Sequence, residues 1–105
     1  MERVAILGVT LRYSPARSGA DVLRWSGEHP SGLRVELSYH GETSWSAGLC
    51  WCIAIRDARD VAHVVAWGHT VDEAHVSVAR KANEKLTVHA LVAGFVNAFA
   101  RSEAA

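Results

Sequence analysis

The chain has 105 residues, half of them hydrophobic, which is enough for one domain with its own core. Its eleven basic residues are balanced by eleven acidic ones, and this neutrality argues against a protein that binds nucleic acid without sequence preference. The two cysteines, Cys50 and Cys52, are too few and too close for a disulfide framework. With no signal peptide and no membrane-length apolar run, the sequence predicts a cytoplasmic protein.

The first predicted element is a strand over residues 3–13, in which Leu7, Val9 and Leu11 share one face. Residues 14–32 contain both prolines and three glycines, a composition that predicts a long loop. A loop of this length is uncommon in a compact domain and is often functional.

Three further strands are predicted before the first helix. In residues 33–40 an apolar face alternates with a polar face that carries Arg34, Glu36 and Ser38. A strand over about 47–56 and a strand over 61–67 are joined by a short polar connection, which favours an antiparallel hairpin. Trp51 and Trp67 fall on strand faces and are predicted to belong to the core.

Two helices are predicted at the C-terminal end. Thr70 and Glu73 form the T-x-x-E pattern of a capping box and predict a helix over residues 71–86. Thr87 can cap a second helix over about 88–101. One face of this second helix is apolar and the opposite face is nearly uncharged, which is typical of a helix that is covered on more than one side.

These elements predict a single α+β domain over residues 1–105. Its sheet is expected to have three to four mainly antiparallel strands, followed by two C-terminal helices, in the order β-β-β-β-α-α. Residues 1–32 would supply an N-terminal strand and a long loop, residues 33–86 a β-β-β-α core, and residues 87–105 the C-terminal helix.

The segment from Gly68 to Leu86, GHTVDEAHVSVARKANEKL, resembles the last helix of double-stranded RNA-binding domains. It is also similar to the G-x-T-x-E-E-A junction of HicB-type antitoxins, which share part of that fold. The resemblance covers residues 33–86 and implies a β-β-β-α core. In the RNA-binding family this helix opens with lysines that contact phosphates. This chain has Val71, Asp72 and His75 there, so the resemblance implies the fold without the RNA-binding lysines.

The leading functional prediction is a small non-catalytic protein-interaction module that acts through a protein partner or as a homodimer through helix 88–101. Phage- or bacterium-encoded inhibitors and antitoxin-like regulators are often small proteins of this kind. Tryptophans in loops frequently anchor interfaces, and small or apolar residues of helix 88–101 allow close approach of a partner. The candidate partner-binding residues are Trp25, Trp45, Leu91, Gly94, Phe95 and Ala98.

Two alternatives remain open at this stage. A nucleic-acid-binding domain of the double-stranded RNA kind would use the basic residues Arg56, Arg59, Arg80, Lys81 and Lys85. A metal site or small enzyme would use Cys50 and Cys52 with His63, but the paired ligand spacing of a structural zinc site is absent. Since the chain also has no nucleophile motif or phosphate-binding loop, we expect no catalytic residue, metal or cofactor, and we expect both cysteines to be small buried side chains.

Overall fold

The computed structural model describes residues 2–19, 22–41 and 48–84. Within these ranges the fold is α+β, with six strands in one antiparallel sheet whose spatial order follows the chain. The elements are β1 (Arg3–Ile6), β2 (Val9–Tyr13), a 3-10 turn (Pro15–Arg17), β3 (Leu23–Glu28), β4 (Arg34–Tyr39), β5 (Trp51–Arg56), β6 (Ala62–Gly68) and helix α1 (Val71–Glu84). The described helix is too short and too polar to cross a membrane.

The predicted sheet of three to four strands, in the order β-β-β-β-α-α, is therefore wrong, because the described residues form six strands before helix α1. One extra strand arises because residues 3–13 form a hairpin and not a single strand. Leu7 and Gly8 adopt positive φ angles of 53° and 75°, which reverse the chain and pair Ile6 with Val9. Two successive residues with positive φ are typical of the tight turns that join antiparallel strands. A leucine rarely adopts this conformation, so the sequence does not signal the turn.

The other extra strand is β3, which lies inside the segment predicted as a long loop. It pairs with β4 along its whole length, from Leu23 opposite Tyr39 to Glu28 opposite Arg34. Gly27 is required within this strand, because a Cβ atom there would lie 2.4 Å from the carbonyl oxygen of Thr10 in β2. The glycine therefore permits close approach of two backbones and does not mark a turn.

The remaining predicted elements are confirmed within the described residues. The strands predicted at 33–40, 47–56 and 61–67 correspond to β4, β5 and β6, and the last two form the expected antiparallel pair. Helix α1 begins where the capping box predicts, and the Thr70 hydroxyl accepts a hydrogen bond from the Glu73 backbone N–H at 3.1 Å. The second predicted helix, 88–101, lies outside the described residues.

Helix α1 packs on β5 and β6 and closes the core against one face of the sheet. The fully buried centre is formed by alternate strand residues and one stripe of the helix: Leu11, Leu33, Val35, Leu37, Ile53, Ile55, Ala66, Ala74, Val78 and Ala82. The β1–β2 turn also reaches the helix, because the backbone N–H of Leu7 donates a hydrogen bond to Nε2 of His75 at 3.0 Å. The opposite face of the sheet is not packed against α1.

Candidate functional site: the arginine-rich face of the sheet

The face of the sheet opposite α1 is assembled from polar residues that the strand register brings into rows. Residues that pair directly across strands project to the same side. The first row crosses all six strands and contains Arg3, Arg12, Ser26, Glu36, Ala54 and Val65. The second row contains Arg24, Ser38, Cys52 and Trp67, and the third contains Glu28, Arg34, Arg56 and Ala62.

Most of the chain's arginines lie on this surface, which we call the arginine face. It holds six of the nine arginines in the sequence: Arg3, Arg12, Arg17, Arg24, Arg34 and Arg56. Their charges are opposed by three carboxylates, those of Glu28, Glu36 and Asp60. A chain with no net charge thus presents an excess of positive charge on one face.

Glu36 is the centre of the arginine face. Its side chain is only 2% exposed, although it belongs to the polar side of β4. Arg17 Nε lies 2.9 Å from Oε2, and Arg24 Nη1 lies 3.1 Å from Oε1. Arg56 Nε lies farther away, 3.7 Å from Oε1. A buried carboxylate is tolerated only when it is paired and hydrogen-bonded, so Glu36 holds arginines from three different elements in place.

Asp60 is a second carboxylate in the same network, but its side chain is 56% exposed. It accepts a hydrogen bond from Arg34 Nη2 and lies 3.6 Å from Arg17 Nη2. Burial alone would raise the pKa of Asp60, but the hydrogen bond from Arg34 and the charges of the surrounding arginines lower it overall. Arg17 therefore bridges a buried carboxylate and an exposed one.

The arginine network retains unused hydrogen-bonding capacity. Within the described residues, Nε of Arg34 and Nε of Arg56 are buried and have no hydrogen-bond partner. A guanidinium group offers five N–H donors in a planar fork that matches a carboxylate or a phosphate. The arginines around Glu36 and Asp60 therefore have more N–H donors than these two carboxylates use.

An aromatic pair borders the arginines on the same face. The rings of His40 and Trp67 are 4.8 Å apart, and His40 Nε2 is 2.8 Å from the Ser38 hydroxyl. Burial and the positive charge of Arg24 lower the pKa of His40 below its usual value, so the imidazole is neutral at pH 7. The sequence predicts a core position for Trp67, but the residue is half-buried, and its pairing with Cys52 places it on the arginine face.

Of the partner-binding residues predicted from sequence, Trp25 lies within the described residues. Trp25 was predicted to be a loop anchor, but it lies in β3 and is only 5% exposed. Its ring contacts those of Tyr13 and Trp51 at centroid distances of 5.6 and 5.8 Å. Trp25 is thus a packing residue, because its segment forms strand β3 and not the predicted loop. The other candidates, Trp45, Leu91, Gly94, Phe95 and Ala98, lie outside the described residues.

The predicted nucleic-acid-binding residues are split between two sides of the molecule. Arg56 belongs to the arginine face, and Arg59 is exposed in the β5–β6 turn. Arg80 and Lys81 lie on α1, and Lys81 Nζ donates a hydrogen bond to the backbone carbonyl of Val65 at 3.0 Å. Lysines that cover an edge strand in this way protect it from pairing with another chain. Lys85 lies outside the described residues.

Among the residues that the structure describes, the cysteines and histidines are not brought together into a metal site. Cys50 and Cys52 are each 7% exposed, which confirms that they are small buried side chains. Burial raises the pKa of the Cys52 thiol, and His63 Nε2 pairs with Asp57 at 2.8 Å. No group of three or more potential metal ligands occurs within residues 2–19, 22–41 and 48–84.

Comparisons with protein families, curated proteins and solved structures find no match for this chain. The site is therefore defined by geometry. Sequence reasoning identified Arg56 but missed the other five arginines of the arginine face. The alternation of Arg34, Glu36 and Ser38 did place these residues on one polar side. What it could not supply was the register that sets Arg12 and Arg24 on the same surface.

Proposed function

We propose that this chain is a protein-interaction module that binds an acidic surface of a partner protein on its arginine face. The observation that carries the proposal is that six of the nine arginines lie on one sheet face of a neutral chain. Complementary charge increases the rate and specificity of association. A small inhibitor or antitoxin-like regulator acts through a surface of this type.

The shape of the arginine face suits a macromolecular partner better than a small ligand. Neither α1 nor any described strand packs over it. Glu36, Ser38 and Ala54 at its centre are only 2–5% exposed, so a partner would contact mainly the surrounding arginine side chains. Six strands about 4.8 Å apart span roughly 24 Å. With strands of about six residues, the outline of the face covers roughly 500 Å², and its buried centre leaves less than this accessible to a partner, which is the range of weak interfaces. This size supports a transient complex.

The distribution of charge favours a protein over a nucleic acid. Carboxylates are interspersed with the arginines, and Glu28, Glu36 and Asp60 reduce the net positive charge of the face. Arginine is enriched at protein interfaces, whereas nucleic-acid-binding surfaces usually carry a large excess of positive charge. This chain as a whole carries no excess of positive charge. The alternative that the experiment must exclude is therefore binding of double-stranded RNA. That activity would use the predicted residues Arg56, Arg59, Arg80, Lys81 and Lys85.

The test is affinity purification of the tagged full chain from lysate of its host, with and without nuclease, followed by crosslinking. The variant Arg3→Gln/Arg12→Gln removes two charges from exposed side chains of the arginine face. Arg59→Gln/Arg80→Gln removes the same charge from exposed positions outside the arginine network and is the matched control. Arg24→Gln is added because it removes a charge at the centre of the face, beside Glu36.

We expect to recover a protein partner that is retained after nuclease treatment and that crosslinks to the arginine face. Its recovery should fall at least tenfold with Arg3→Gln/Arg12→Gln and with Arg24→Gln. The control variant should retain it. Equal recovery by all folded variants would contradict the proposal. If nuclease releases the bound material and the control variant also fails to bind it, nucleic-acid binding is favoured instead. Circular dichroism melts establish that each variant is folded.

A further inference from the structure

We infer that Asp60 is an internal substitute for an acidic side chain of the partner, and that a partner glutamate or aspartate replaces it beside Arg17 and Arg34 on binding. This inference rests on the proposed function and specifies the chemistry at one position of the arginine face. Three observations carry it: the exposure of Asp60, the way its turn is held, and the unused donors around it.

The two carboxylates of the network differ in how easily they could be replaced. Glu36 is 2% exposed and hydrogen-bonded to two arginines, whereas Asp60 is 56% exposed and contacts the edge of the same network. Exposed ion pairs contribute little to stability because water and salt screen them. Exchanging the Asp60 carboxylate for another carboxylate would therefore cost little.

The turn that carries Asp60 is held by other groups. The Asp57 carboxylate accepts hydrogen bonds from the backbone N–H groups of Arg59 and Val61, at 2.9 and 3.1 Å. The backbone N–H of Asp57 also donates to the Val61 carbonyl at 3.0 Å. Arg56 Nη1 bonds the backbone carbonyl of Asp60, and not its side chain, at 3.1 Å. The Asp60 side chain can thus leave the arginines without loosening the turn.

The arginines have donors that Asp60 does not use. Asp60 contacts Nη2 of Arg34, while the buried Nε of the same guanidinium has no hydrogen-bond partner among the described residues. A carboxylate that takes the place of Asp60 would meet Nη2 first. It would also accept from the buried Nε only by entering more deeply than Asp60 does, which gives the two-nitrogen geometry that arginine–carboxylate pairs prefer. Four arginines contact only two carboxylates here, so the network keeps a net positive charge that attracts such a ligand.

The test removes the internal carboxylate and measures binding of a defined acidic probe. Asp60 has a φ of 66°, a conformation that asparagine and glycine both tolerate, so Asp60→Asn and Asp60→Gly preserve the turn. The probe is a hexaglutamate peptide, acetylated and amidated at its ends, titrated calorimetrically into the full chain. Asp72→Asn, which changes the same charge on α1, is the matched control.

We expect both Asp60 variants to bind the peptide about twofold to fivefold more tightly than the natural chain, by removal of one competing exposed ion pair. Asp72→Asn should leave the affinity within about twofold, because charges on another surface are screened. Inorganic phosphate, a peptide with a free C-terminal carboxylate and duplex RNA are titrated in parallel. If the Asp60 variants bind only one of these three ligands more tightly, and not the hexaglutamate peptide, the assignment to an acidic side chain is overturned.

Failure of this inference is distinguishable from failure of the proposed function. Unchanged or weaker peptide binding by folded Asp60 variants would overturn the inference, as would the absence of any binding to the peptide. The proposed function would survive either result if Arg3→Gln/Arg12→Gln still loses the protein partner. If neither set of variants alters any binding, both proposals are refuted.

Discussion

Replacing Glu36 with glutamine tests whether this buried carboxylate organises the arginine face. The substitution keeps the shape of the side chain but removes its charge. Arg17 and Arg24 then lose the ionic hydrogen bonds they make at 2.9 and 3.1 Å, and Arg56 loses an opposite charge 3.7 Å away. The three guanidinium groups, now facing a neutral amide, repel one another.

The size of the effect follows from the burial of the participants. Removing one partner of a buried ion pair costs about 3–5 kcal/mol. The arginine side chains here are 27–37% exposed, so water screens part of that loss, and glutamine can still accept one hydrogen bond. We therefore expect Glu36→Gln to lower the free energy of unfolding by about 2–3 kcal/mol. For a domain of this size, this corresponds to a fall in Tm of roughly 8–20 °C.

The assay is urea unfolding followed by tryptophan fluorescence, with thermal melts by circular dichroism. Glu28→Gln is the matched control, because it removes an exposed carboxylate from the same face and should change stability by less than about 0.5 kcal/mol. Added salt should restore part of the loss in Glu36→Gln, since it screens the repulsion between the arginines. If Glu36→Gln is as stable as Glu28→Gln, Glu36 does not organise the face.

Three further predictions follow from local contacts. Thr70→Ala should cost about 1 kcal/mol in urea unfolding, because the hydroxyl bonds the Glu73 N–H at the start of α1, whereas Thr70→Ser should cost much less. Gly27→Ala should lower Tm clearly, because its Cβ would overlap the Thr10 carbonyl 2.4 Å away, whereas Gly19→Ala, with nothing within 4 Å, should not. The lowered pKa of His40 means that the unfolded chain binds a proton more readily than the folded chain. Stability should therefore fall as the pH drops below about 6.5, with a weaker fall in His40→Asn. An NMR titration should also show the His40 pKa rising when an acidic partner neutralises Arg24, and an unchanged value would place the partner elsewhere.

The C-terminal half of the described fold could be predicted because its signals are local. Strict alternation over residues 33–40 identifies β4 and assigns its two faces correctly, with Val35 and Leu37 in the core and Glu36 on the polar side. The Thr70 cap sets the start of α1 within a single turn of backbone. Each signal depends only on residues that are neighbours in the chain.

The N-terminal half could not be predicted because its backbone is determined by distant contacts. Leu7 takes a positive φ of 53° that its own side chain disfavours, in a turn whose N–H is bonded by His75. Gly27 looks like a loop residue until β2 is known to pass against it. In both places the tertiary structure overrides the local preference of the residue.

The same limitation hides the arginine face. Arg17 and Arg24 reach Glu36 from 19 and 12 residues away, through two elements that the sequence did not reveal. A net charge of zero sums over both sides of the molecule, so it excludes a uniformly basic protein but says nothing about how charge is divided between faces. Without β3, Arg24 would have lain in a loop and would have had no place on the same sheet face as Arg34 and Arg56. The charge of a sheet face is thus set by strand number and register together, and it becomes readable only once both are known.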